Sequence, residues 1–147
     1  MFARHAEQVC TAYSESNGLF IQNTFLVIRD NNNAHETALL VAEVAAEKKG
    51  RNIVLLDMRG LTMVCDWFVL VSAGSTRMVK AISRAIDKGL SAKKISPLNV
   101  QGRQNPHWVL MDYGNVVVHI FYSRIRDFYE LEQLWSDAPR EHFNSDG

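Results

Sequence analysis

A chain of 147 residues with 16 Lys plus Arg against 16 Asp plus Glu has no surplus charge, so neither bulk attraction to nucleic acid nor an acidic tail is expected of it. The length suits one domain that buries a core without disulfides or metals. Cys10 and Cys65 lie far apart and outside CxxC spacing, which points to two free thiols in a reduced, cytoplasmic protein; no apolar run approaches the roughly 20 residues that cross a bilayer, and the N-terminus makes a poor secretory signal.

Met1 to Asn33 mixes Phe20-Ile21 and Phe25-Leu26-Val27-Ile28 with Ser, Asn and Gly. It is expected to be an N-terminal extension, either loosely held or upstream of the natural start, with an added strand or helix as the alternative. The domain itself is expected over 34–136, with a C-terminal tail over 137–147. From Ala34 to Lys49 the apolar residues Leu39, Leu40, Val41 and Val44 predict a helix, stopped by Gly50. Asn52–Met58 and Asp66–Ser72 predict two fully apolar strands, antiparallel neighbours in one sheet. Ala73-Gly74-Ser75 then opens a second helix capped by Ser75 or Thr76. Its buried line is Val79, Ile82, Ile86 and Leu90, and its outer face is Arg77, Lys80, Arg84 and Lys88. Those four cations suit either a phosphate-binding patch or a solvated face, and the solvated face is the preferred reading.

Ser91–Pro97 reads as a polar link, Leu98–Gln101 as an edge strand ending at Gly102, and Pro139–Gly147 as a frayed tail. The stretch His107–Trp135 organises the rest. Trp108–Met111 and Val116–Tyr122 predict a hairpin around Asp112-Tyr113-Gly114-Asn115, where Gly114 can supply a positive φ. A helix is expected from Phe128, capped by Asp127, with Phe128, Leu131 and Trp135 on one face. The fold class that follows is α/β, a single mixed sheet of about five strands with flanking helices.

Chemistry is poorly served by these residues. Gly74-Ser75 sits at a strand-to-helix turn able to receive a phosphate, but the pair of aligned carboxylates that holds metal in nucleotidyltransferases is missing: Asp87 lies within a helix and Asp112 stands alone. There is no GxSxG elbow, GxGxxG or Walker motif, and His107, His119 and His142 lack ligand spacing. His119 is expected to be a hydrogen-bonded core histidine. No catalytic residue, metal or cofactor is assigned, and a binding protein is expected rather than an enzyme.

Asp66-Trp67-Phe68-Val69-Leu70-Val71-Ser72 with Ser75-Thr76-Arg77, then Gly102, Trp108, Asp112, Gly114-Asn115-Val116-Val117-Val118-His119-Ile120, Tyr129-Glu130-Leu131-Glu132 and Leu134-Trp135, resemble the ribosome silencing factor family, also called Iojap-like. The resemblance spans about Ala34 to Trp135. It implies a nucleotidyltransferase-like fold without the catalytic acids, and a translational repressor that binds the large ribosomal subunit through its L-fourteen protein and sterically blocks joining of the small subunit. Gln101 and Asn115 depart from acidic residues common in the family, which puts in doubt any ion pair those acids would make with a basic ribosomal surface. By this analogy the partner-binding residues are Trp108, Met111, Phe121 and Tyr129, each of which can equally be core. Neither a membrane nor sequence-specific nucleic acid is expected as a partner. The alternatives are a metal-dependent nucleotidyltransferase-like enzyme and a homodimeric module paired through an apolar sheet edge.

Overall fold

A computed structural model of the chain describes residues 31–129 and 131–144. Among these residues ten elements follow one another: α1 (Asn31–Glu47), β1 (Arg51–Asp57), β2 (Trp67–Ala73), α2 (Thr76–Ser91), β3 (Asn99–Gln101), β4 (Trp108–Asp112), β5 (Val116–Tyr122), α3 (Ser123–Tyr129), α4 (Leu131–Leu134) and β6 (Arg140–His142). The strands form one six-stranded sheet in the order β3-β4-β5-β2-β1-β6. β2 and β5 run parallel over their full lengths, from Trp67 opposite Val116 to Ala73 opposite Tyr122, and every other pairing is antiparallel. This is the α/β mixed sheet expected, with one more strand.

The centre of the sheet explains the apolar runs. Every residue of β2 is buried, because strands lie on both sides of it and each of its faces is covered. On one face Val69, Val71, Val118, Ile120, Val109 and Met111 meet α1 and α2. On the other, Val54, Leu56, Phe68, Leu70, Leu110, Val117 and Phe121 meet Ile125, Leu134, Trp135 and Ala138.

α2 is built as its sequence predicts. Val79, Ile82, Ile86 and Leu90 are buried, and Ser75 is the N-cap, its hydroxyl accepting from the Met78 N–H at 3.2 Å. The Gly74-Ser75 turn is therefore accounted for by capping. α1 differs from expectation in its contact face: Ala34, Ala38, Val41, Ala42 and Ala45 are fully buried, while Leu39, Leu40 and Val44 pack half-buried at the margins. Small side chains at spacings of three and four let the helix axis lie close to the sheet. α1 also begins at Asn31, three residues before the expected start of the domain, and within it the Thr37 hydroxyl donates to the Asn33 carbonyl at 2.8 Å. The remainder of the expected N-terminal extension, Cys10 included, lies outside the described residues; Cys65 is buried.

Two expectations at the C-terminal end are corrected. The last helical segment does not start at Phe128 behind an Asp127 cap. α3 begins at Ser123, directly after β5, because Ser123 donates to the Ala73 carbonyl at 2.9 Å and Arg126 reaches the ends of β1 and β2. Tertiary docking, not a local cap, sets that boundary. The tail expected to fray supplies β6, which pairs antiparallel with β1 and gives its otherwise open edge hydrogen-bond partners.

Candidate interaction surface

Alternation along β4 sorts its side chains: Trp108, Leu110 and Asp112 point to the face carrying α3, and Val109, Met111 and Tyr113 to the face carrying α1 and α2. Trp108 stands opposite Phe121 in register, their rings stacked at 5.1 Å between centroids and 27° between planes. Its indole N–H donates to Nδ1 of His119, one row further along β5, at 3.2 Å. An indole nitrogen only donates, so Nδ1 accepts and the His119 proton resides on Nε2.

His119 is fully buried and stands edge-on to Phe68 at 4.9 Å. Burial pushes its pKa down to about 3, so the ring is neutral throughout the physiological range. It is the core histidine expected, and its task here is to fix the indole. Trp108 remains half-buried, an aromatic plate held on a rigid sheet.

The other sequence candidates fare differently. Met111 is fully buried against the helices, and three positions from Trp108 in one strand it must face the opposite side. Phe121 is fully buried beneath Trp108. Neither offers an exposed contact, and strand alternation alone would have separated Met111 from Trp108. The side chain of Tyr129, at the end of α3, lies outside the described residues.

The far end of the same hairpin carries groups that sequence reasoning missed. Gly114 adopts φ +89° in the turn as expected, and its N–H donates to Asp112 Oδ1 at 2.7 Å. The Asn115 carbonyl accepts from Asp66 and Trp67, tying the turn to the start of β2 without using the Asn115 side chain. Leu98, close to Gly114, is 51% exposed, and Leu61 and Met63 in the β1–β2 connection are 41% and 84% exposed. The available signal was apolar residues placed in loops.

Asp112 is buried, with no ion-pair partner among the described residues, and desolvation raises its pKa to about 6 despite the Gly114 hydrogen bond. A carboxyl whose pKa lies higher folded than unfolded stabilises fully below its unfolded value near 3.8 and loses that contribution as pH rises through about 6. His119 has the opposite sense, its stabilisation present above the unfolded value of 6.5 and lost as pH falls toward about 3. Between those limits the two offset each other. Asp112→Asn, which keeps an acceptor for Gly114, is expected to gain about 2 kcal/mol at pH 7.5 and nothing at pH 4. Its denaturation midpoint should then fall more steeply than wild type on acidification; parallel pH profiles would refute the assignment.

Asp87 on α2 pairs with Arg103 at 3.2 Å, on the helix side, whereas Asp112 points to the other face. Among the described residues no cluster of three His, Cys, Asp or Glu could hold a metal ion, and no helix is long and apolar enough to cross a membrane.

The family model described as "Ribosomal silencing factor during starvation" matches residues 31–146. A ribosomal silencing factor of Bacillus subtilis (strain 168) is 37% identical over 100 residues, covering 68% of this chain and 85% of that protein. A mouse protein named for mitochondrial assembly of the ribosomal large subunit is 25% identical, covering 66% of this chain and 44% of its own length. A crystal structure from Chromobacterium violaceum superposes with a TM-score of 0.68 at 31% identity, covering 69% of this chain and 85% of that one. The matched residues include α1, the whole sheet and the Trp108–His119 pair, and the chain belongs to the ribosomal silencing factor family.

Proposed function

We propose that the protein represses translation by binding the large ribosomal subunit through its L-fourteen protein and blocking the small subunit sterically. Family membership supports a silencing role at the ribosome, and the name of the mouse relative supports the large subunit as the target. The observation that carries the reading to a surface is Trp108, a half-buried indole pre-oriented by His119 and Phe121. An aromatic side chain already held in place loses little rotamer freedom on docking, which favours it as an interface anchor. Tyr129 stays a second candidate on sequence grounds. Blocking of this kind needs no chemistry.

Trp108→Ala is expected to weaken co-sedimentation with isolated large subunits by about tenfold or more, while the thermal melt still reports a folded protein. Trp108→Phe, which keeps the stack on Phe121 and gives up the N–H, should fall between. Undiminished co-sedimentation of the alanine variant would remove Trp108 from the surface. Failure of the wild-type protein to bind large subunits at all would remove the function.

A further inference from the structure

Arg77, Lys80, Arg84 and Lys88 follow one another along α2 at steps of three, four and four residues, and all four are exposed. They make one line of cations about 16 Å long, with a spacing of about 6 Å over each four-residue step, on the scale of neighbouring phosphates along a nucleic-acid strand. None of the four is in an ion pair among the described residues. The one acid of the helix, Asp87, is engaged by Arg103. Lys93 and Lys94, both exposed, extend the positive surface past the end of the helix.

A face that merely solvates a helix mixes signs, because opposite charges four residues apart stabilise it and like charges there repel. Here Lys80 with Arg84 and Arg84 with Lys88 are like-charge pairs at that spacing, in a chain whose total charge is zero. The helix itself carries no acid on this line; Glu36, Glu43 and Glu47 belong to α1, which packs beside α2 on the same side of the sheet. Between the cations the helix presents Ala81 and Ala85, so no bulky side chain keeps a flat polyanion away. The face also lies across the sheet from Trp108, since α2 packs on the opposite side.

We infer that the outer face of α2 is a contact for the phosphate backbone of double-stranded RNA, independent of base sequence. A-form RNA is recognised largely through its shape and phosphates, which a straight row of Arg and Lys on a rigid helix can follow. The inference deepens the proposed function, giving the protein a second, electrostatic hold on an RNA-rich particle beside the aromatic one.

The test is fluorescence anisotropy of the full chain with a labelled 20-base-pair RNA duplex in increasing KCl. Four phosphate contacts predict that log K falls with log salt with a slope of about −3. The variant Arg77→Gln, Lys80→Gln, Arg84→Gln, Lys88→Gln should bind at least tenfold more weakly at 50 mM KCl and lose most of that slope. A charge-matched control neutralising Lys48, Lys49, Arg51 and Arg124 should keep both. The inference is overturned if the fourfold variant retains affinity and slope, if the control loses as much, or if polyglutamate of equal charge binds as well as RNA and so marks an acidic protein as the partner. Sedimentation separates the two readings: duplex binding without large-subunit binding leaves this inference standing and removes the proposed function, and the reverse result does the opposite.

Discussion

Gly102→Ala is expected to cost about 4 kcal/mol of folding stability, the sum of a strained backbone and a steric overlap, and to weaken large-subunit binding along with it. Gly102 directly follows β3 at φ +89°, in the left-handed region where an L side chain is strained. A Cβ built there falls inside the radius of the Trp108 carbonyl oxygen and comes within 3.1 Å of the Trp108 carbonyl carbon and 3.3 Å of Val109 Cα. All three are backbone atoms at the start of β4 and cannot rotate away. The strand that presents the indole would have to move.

Gly60→Ala isolates the two contributions. Gly60 has φ +84° and open space where a Cβ would go, so it carries the strain without the overlap and should cost about 1 kcal/mol. Urea denaturation of both variants checks the difference. Equal losses would mean that the approach of Gly102 to Trp108 relaxes freely, and the indole would then not depend on it.

How much of this was legible in the sequence follows from what each element depends on. β2 and β5 were readable because a central strand covered on both faces must be apolar throughout. α2 was readable because period and cap agree. α1 was found but its face misjudged: hydrophobicity ranks Leu39 and Leu40 above Ala38 and Ala42, whereas close approach to the sheet selects the alanines. β6 had no signal of its own, since Arg140-Glu141-His142 is exposed and polar; it is a strand because β1 offers its backbone groups there, as Phe143 N–H to the Ile53 carbonyl and Asp57 N–H to the Pro139 carbonyl extend the ladder. For the surface, the sequence offers Trp108 as an aromatic on the sheet, and it is half-buried there, but which aromatics stay uncovered depends on the helix across the face. Only Met111 could have been excluded from strand parity.

That cover depends on one buried cation, and its removal is the second large effect expected. Arg126, 8% exposed, donates through its NH1 to the Asn52 carbonyl and to Ser72 Oγ, the latter at 2.8 Å, while Nε and NH2 reach Glu132 at 2.7 and 2.6 Å. β1 shifts register between Arg51 and Val54, with Asn52 at φ 48°, so the ladder is interrupted where the guanidinium enters. One planar fork thereby ties α3 to β1, β2 and Glu132 of α4. Arg126→Ala would strand the Asn52 carbonyl and the Ser72 hydroxyl and leave Glu132 with Arg140, whose NH1 lies 3.8 Å away. The expected loss is about 3 kcal/mol. Glu132→Gln should lose only about 1 kcal/mol, because that carboxylate is partly solvated and its pair is screened. Arg126→Lys should recover little, since a single ammonium cannot satisfy acceptors on three elements. Urea midpoints for the three variants, at unchanged m-value, decide the matter. If Arg126→Ala cost no more than Glu132→Gln, apolar packing of Ile125, Leu134 and Trp135 would be what holds α3 and α4 down. If the ranking holds, the guanidinium fixes how far those helices extend toward Trp108, and so how much of the indole a partner can reach.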